Sequence, residues 1–160
     1  MDKQIIECFS EGCRRLVVRL QTNVAPEILW NVLTDYDNLS RFIPNLALSK
    51  LLWRRNNIVE VKQIGSQKLL GLKFSAQVSL EIVEYPQDGR LDFSMLQGDF
   101  RRFEGFWQVG QVDEFTSLTY HLIVRGAIGM PISLIEQRLR KDICSNLNAI
   151  NEEAQKRSTH

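Results

Sequence analysis

Residues 131–154 read PISLIEQRLRKDICSNLNAINEEA. Within this stretch Ile132, Ile135, Leu139, Ile143, Leu147, Ile150 and Ala154 recur at spacings of three and four, while Glu136, Arg138, Arg140, Lys141, Asn148, Glu152 and Glu153 fall largely on other faces. That is the pattern of an amphipathic helix with one continuous apolar stripe. Pro131 stands where a first-turn proline belongs, since its ring pre-sets the backbone and its missing N–H would have no intrahelical partner there. At about 1.5 Å per residue the helix spans more than ~30 Å. A stripe of that length needs a surface to cover, and the residues before it supply one.

Upstream, the period changes from helical to alternating. Leu70, Leu72, Phe74, Ala76, Val78, Leu80 and Ile82 alternate with Gly71, Lys73, Ser75, Gln77, Ser79 and Glu81, which only a strand buries on one side. The run exceeds the average strand of ~5–6 residues, so a bend or bulge is expected along it. Cys13 to Thr22 gives a first strand, and Pro26 to Leu33 a short helix with Glu27 in its first turn. Asp35 is placed to cap a second helical turn through Phe42, ended by Pro44. Leu46 to Trp53 and Ile58 to Ile64 flank an Asn56-Asn57 turn, and Pro86 to Gly89 is a turn by composition. Arg90 to Gln97, Phe100 to Val109 and Phe115 to Arg125 complete a succession of hairpins. The expectation is an α+β architecture: a seven-stranded curved antiparallel sheet wrapped around the long C-terminal helix, with two short helices after strand one.

The totals narrow the function classes. A chain of 160 residues with 44% hydrophobic content fits a single domain over 1–160. Twenty basic and 19 acidic residues leave a net charge of +1, so no bulk field favours nucleic acid or an anionic membrane. Trp53-Arg54-Arg55 and Arg101-Arg102 make at most a small basic rim, and nucleic-acid binding is disfavoured. Three cysteines without a CxxC pair and only two histidines supply a metal cluster poorly, and no cofactor or metal is called for. Charges interrupt the first residues, and no run approaches the ~20 apolar residues of a membrane span. The expectation is a reduced, cytoplasmic protein.

The motifs add a resemblance. Ala25-Pro26-Glu27 with Trp30 and Leu33, Asp35-Tyr36-Asp37 through Phe42-Ile43-Pro44, Gly98-Asp99-Phe100 with Gly105-Phe106-Trp107, Thr119-Tyr120 and the Pro131 helix together resemble the START-like (SRPBCC) superfamily, in its polyketide cyclase/dehydrase and coenzyme-Q-binding branch. The similarity runs from about Arg15 to Ala154. It implies the helix-grip fold with a hydrophobic-ligand cavity between sheet and helix, in a superfamily whose members include lipid carriers, quinone binders and cyclases. Asp35 and Pro44 look architectural within it.

Alternation then selects the inward residues. Leu118, Tyr120, Leu122 and Val124 share the apolar face of the last strand, which puts His121 on the wet face as a surface histidine. The buried Tyr120 hydroxyl needs a partner, either a ligand carbonyl or the backbone. Phe103, Gly105, Trp107 and Val109 share a face, and Gly105 between aromatics leaves space for a ligand or the helix, so that Gly105→Phe is expected to fill the pocket with the fold intact. Phe93, Met95 and Phe74 line either a pocket or plain core, and Gln63 either orients a ligand or satisfies a buried amide. With Met130, Ile135 and Leu139 from the helix and its approach, these form the candidate ligand-binding set. Asp99, Arg101, Arg102 and Glu104 read as solvated hairpin charges, and no catalytic residue is assigned.

The leading reading is non-enzymatic binding or transport of a hydrophobic small molecule: a lipid, isoprenoid, quinone or polyketide-like aromatic. A polyketide cyclase or dehydratase is the alternative, and it needs ionisable groups inside the cavity, of which alternation shows few. A third reading places function on the surface, through transient membrane or protein contact.

Overall fold

In a computed structural model of the chain, the backbone is described for residues 3–8, 13–69, 72–127, 129 and 132–159, and side chains for 13–66, 75–127, 129 and 136–159. The alternating stretches become strands β1 (Lys3–Cys8), β2 (Cys13–Thr22), β3 (Leu46–Arg55), β4 (Ile58–Leu69), β5 (Leu72–Tyr85), β6 (Arg90–Gly98), β7 (Arg102–Val112) and β8 (Phe115–Arg125). Helices α1 (Pro26–Leu33) and α2 (Leu39–Phe42) lie between β2 and β3, and α3 (Ile132–Ser158) closes the chain. Pro131 and Met130 lie outside the described residues.

One antiparallel sheet runs in the order β1-β2-β8-β7-β6-β5-β4-β3. The seven expected strands and the helix-grip arrangement are present, with an eighth strand at the edge. That strand, β1, pairs with β2 from Lys3 opposite Arg19 to Cys8 opposite Arg14. Adjacent Ile5 and Ile6 spoil any alternation in β1, and the free edge of β2 organises it by backbone hydrogen bonds. The bulge expected along β5 lies instead on its partner: β6 carries an extra residue between Met95, opposite Leu80, and Gln97, opposite Ser79. The other edge strand, β3, is broken twice in register, between Leu46 and Leu48 and between Leu51 and Trp53, which bends it and blunts the open edge.

The core lies between the sheet's inner face and α3. Leu16 and Val18, Val59 and Val61, Leu80 and Ile82, and Leu118, Leu122 and Val124 are buried from the sheet side, facing Ile143, Leu147, Ile150 and Ala154 of α3. Alternation on the strands and the three-four stripe on the helix account for this layer directly. Helix α1 adds Leu29, Val32 and Leu33.

Asp35 does a different job from the one expected. It makes no side-chain cap bond. Its carboxylate instead accepts from Asn38 Nδ2 at 2.8 Å and from Arg157 of α3 at 2.8 Å. An arginine brought from 122 residues away competes better for the carboxylate than a backbone N–H does, because both partners are charged. The contact ties the segment before α2 to the end of α3. Next to it, Asp37 Oδ1 accepts the Leu51 N–H at 2.8 Å and anchors the same segment to β3.

Candidate functional site

Where α3 passes over β4 to β8, the two layers do not meet. A cavity of about 290 Å³, partly open to solvent, remains, bounded by sheet residues such as Leu80, Phe93, Trp107 and Tyr120 and by Leu139, Asp142, Asn146 and Leu147 of the helix. Its lining reaches the surface at Ser75, which is exposed, near Asn45 and Gly65. A shallower groove on the outside of α3, lined by Phe42, Pro44, Arg140 and Lys141, lies on the other side of that helix. The cavity is the candidate because its walls are apolar and concave, as small-molecule sites usually are.

The sheet wall is aromatic. Tyr120 of β8 lies opposite Trp107 of β7, with ring centroids 4.3 Å apart. Phe93 of β6 stacks on Tyr120 at 5.7 Å across the intervening β7, and contacts Phe103 at 5.8 Å. The residue directly opposite Phe93 on β7 is Gly105. A Cβ on Gly105 would sit 3.0 Å from the Phe93 ring and 1.8 Å from the His121 carbonyl oxygen. The space beside this glycine is therefore taken by Phe93 and by the backbone of β8, and Gly105→Phe could not leave the fold intact. Glycine here is what allows Phe93 and Tyr120 to touch over a strand.

Gln63, Phe93, Phe103, Trp107, Tyr120 and Leu139 all line the cavity. Gln63 Nε2 donates to Ser49 Oγ at 3.4 Å, so its amide is partly spent on the neighbouring strand. Gly105 and Met95 are not among the lining residues; Met95 packs against the core beside the β6 bulge. The side chains of Phe74 and Ile135, on β5 and α3, lie outside the described residues. His121 points to the outer face as expected, stacked on Phe106 at 4.7 Å and accepting from Arg15 Nε at 2.8 Å.

Sequence reasoning missed the polar members. Tyr36 lines the cavity, and its hydroxyl donates to Glu84 Oε2 at 2.6 Å. Arg54 grips both oxygens of that carboxylate, donating from Nη1 to Oε1 at 2.7 Å and from Nη2 to Oε2 at 3.1 Å. Burial alone would raise the Glu84 carboxyl, but the hydrogen bonds from Arg54 and Tyr36 outweigh it and hold the group below its ordinary range. Burial, the Glu84 hydrogen bond and its charge push the Tyr36 hydroxyl up, keeping it a donor. Tyr120 is pushed up by burial alone, and its hydroxyl has no hydrogen-bond partner among the described residues. Asp142 of α3, only 6% exposed, is among the residues that line the same cavity. Burial raises its carboxyl, and the nearby Arg138 charge only partly opposes this. A usable signal was present: Asp142 and Asn146 fall three and seven residues after Leu139, on the stripe itself. Among the described residues, no group of three or more His, Cys, Asp or Glu is arranged to hold a metal ion.

The sequence matches the profile of the polyketide cyclase / dehydrase and lipid transport family over residues 22–151. The chain belongs to that family. Solved structures with the same fold include a Thermus thermophilus protein, at 18% identity and a TM-score of 0.79 over 90% of this chain and 99% of that one. A Streptomyces aromatase/cyclase, Zhui, is similar at 16% identity and a TM-score of 0.74, covering 91% of this chain and 96% of that one. A STAR-related lipid transfer protein from Xanthomonas axonopodis is similar at 15% identity and a TM-score of 0.75, covering 96% and 99%. No curated protein matches the chain at a significant level. The START-like motifs and the family profile thus agree. Among the described residues no helix is long and apolar enough to cross a membrane.

Proposed function

We propose that this chain binds or carries a hydrophobic small molecule, a lipid, isoprenoid, quinone or polyketide-like aromatic, in the cavity between the sheet and α3. The supporting observation is the cavity itself: about 290 Å³ left open in the centre of an otherwise well-packed layer, with a wall of mutually contacting aromatic rings. Unfilled apolar space costs stability, and a protein retains it where a ligand fills it. Burial of apolar ligand surface at about 25 cal/mol per Å² supports affinity near the micromolar range after the costs of association. Binding is the primary role in this reading, and α3 is the cover that retains the ligand.

A single substitution tests the placement. Ala76 lines the cavity from β5 and is the smallest side chain on that strand's inner face. Ala76→Trp projects an indole into the space and is expected to weaken ligand binding by more than about tenfold, with the folded state preserved. Native mass spectrometry of the freshly purified protein, with solvent extraction of any adduct, provides the readout. Wild-type protein that stays bare after incubation with a lipid, quinone and polyketide panel, or a folded Ala76→Trp that binds as tightly as wild type, would refute the cavity reading.

A cyclase or dehydratase role is the second reading, and Asp142 is the observation that favours it, because a buried carboxyl with a raised pKa can hold and move a proton. A turnover assay on a polyketide-like substrate separates it from simple binding.

A further inference from the structure

We infer that the Tyr120 hydroxyl is a recognition donor of the cavity and that the ligand presents a neutral carbonyl oxygen, of a ketone, quinone or ester, to accept from it. The inference rests on the cavity reading above and narrows it, since a purely hydrocarbon ligand would leave the hydroxyl unmatched.

Three observations converge. Tyr120 sits on β8, between β2 and β7, and packs with the core on the inner face of the sheet. It is 9% exposed and lines the cavity, so the surface it keeps belongs to that space. Its hydroxyl has no hydrogen-bond partner among the described residues. Nor is that hydroxyl sealed: among the described residues, side-chain oxygens both unpartnered and fully covered occur only on Asp142 and Asn151, so the Tyr120 oxygen is open to the space beside it. By contrast, Tyr36 donates to Glu84, Gln63 to Ser49 and Asn45 to Asn146. A phenolic O–H in an apolar wall is costly unless it donates, and burial keeps this one protonated.

The surroundings select both the direction and the charge of the acceptor. The Tyr120 ring is gripped by Trp107, with centroids 4.3 Å apart, and by Phe93, at 5.7 Å with the planes within 7° of parallel. That grip fixes the direction of the hydroxyl before a ligand arrives, which lowers the cost of binding. Among the described residues that line the cavity there is no Lys, Arg or His, so an anionic acceptor would enter without a counter-charge. A carbonyl is neutral and offers two lone pairs, and the rest of such a ligand meets apolar walls.

Three two-ring probes of similar shape distinguish the cases. 2-Acetylnaphthalene carries a carbonyl, 2-isopropenylnaphthalene replaces its oxygen by a CH₂ group, and 2-naphthoate carries an anion. Their dissociation constants are measured by isothermal titration for the full chain and for Tyr120→Phe, with the melting temperature of each unliganded protein and the infrared carbonyl stretch of the bound ketone. Wild type is expected to bind the ketone at least about fivefold tighter than the alkene or the naphthoate. Tyr120→Phe is expected to keep alkene binding, erase the preference for the ketone, and shift the bound carbonyl stretch to higher frequency because the donated hydrogen bond is gone. Without ligand it is expected to melt with wild type, since no partner within the protein is lost. Equal wild-type binding of ketone and alkene, tighter binding of the naphthoate, or a ketone preference or carbonyl stretch unchanged in Tyr120→Phe would each overturn the inference while leaving the cavity reading in place. So would a melting temperature for that variant several degrees below wild type, which would show an internal partner for the hydroxyl. Binding of none of the probes would overturn both.

Discussion

Gly105→Ala is expected to lower stability by about 3 kcal/mol, which for a chain of this size moves the melting temperature down by roughly 6–12 °C. The added methyl would meet the His121 carbonyl oxygen at 1.8 Å and its carbonyl carbon at 2.8 Å. Neither is the movable end of a flexible side chain, so β7 and β8 must separate locally at the Gly105–Leu122 pair. The same methyl sits 3.0 Å from the Phe93 ring and drives it off Tyr120. Gly110→Ala is the matched control on the same strand. There the methyl meets the Ser117 hydroxyl at 3.3 Å, a side-chain atom free to rotate away, and the loss is expected to stay below about 1 kcal/mol. Thermal melts of the two variants check the pair; equal melting temperatures would show that the close approach at Gly105 is not what demands glycine.

The second large effect belongs to the carboxylate between Arg54 and Tyr36. Glu84→Ala is expected to cost about 3 kcal/mol, because it leaves the Tyr36 hydroxyl buried without an acceptor and releases Arg54 from its two-pronged contact. The estimate is kept at the low end for buried pairs because the Arg54 side chain is 43% exposed. The same group dictates a pH response. A folded-state pKa held below the ordinary carboxylate value of 4.5 means that the unfolded chain binds the proton more readily. The contribution is therefore fully present above that value and disappears as pH falls through the lower, folded-state pKa. In urea melts taken from pH 7 down to pH 3, wild type should lose more stability than Glu84→Gln does. Parallel decline of the two proteins would remove Glu84 from the acid response.

These two positions show different limits on what a sequence discloses. Gly105 was conspicuous between Phe103 and Trp107, and its inward register was readable, but the occupant of the space was not. Phe93 lies on another strand, and its overlap with Tyr120 depends on both hairpin registers at once. Glu84 alternates onto the solvent side of neither pattern cleanly, and its partners come from 30 and 48 residues away. Asp142 was readable in principle from its place on the helical stripe, but an acid among apolar residues looks like a helix-face irregularity until the opposing wall is known.

What residues 131–154 and the alternation of residues 70–82 determined by themselves was the architecture, because periods of 3.6 and 2 each leave only one way to bury an apolar face. The seven shared strands, the α1 helix and the covering position of α3 follow from local patterns of that kind, as does the inward direction of Gln63, Phe93, Trp107 and Tyr120. Tertiary structure alone decided the eighth strand on the β2 edge, the Asp35–Arg157 tie, the Arg54–Glu84–Tyr36 clamp and the opening under α3. Each of these depends on the distance between elements remote in the chain. Periodicity sets which face a side chain takes, but whether two facing layers touch, leaving core, or stand apart, leaving a cavity, is settled only when sheet curvature and helix position are both known.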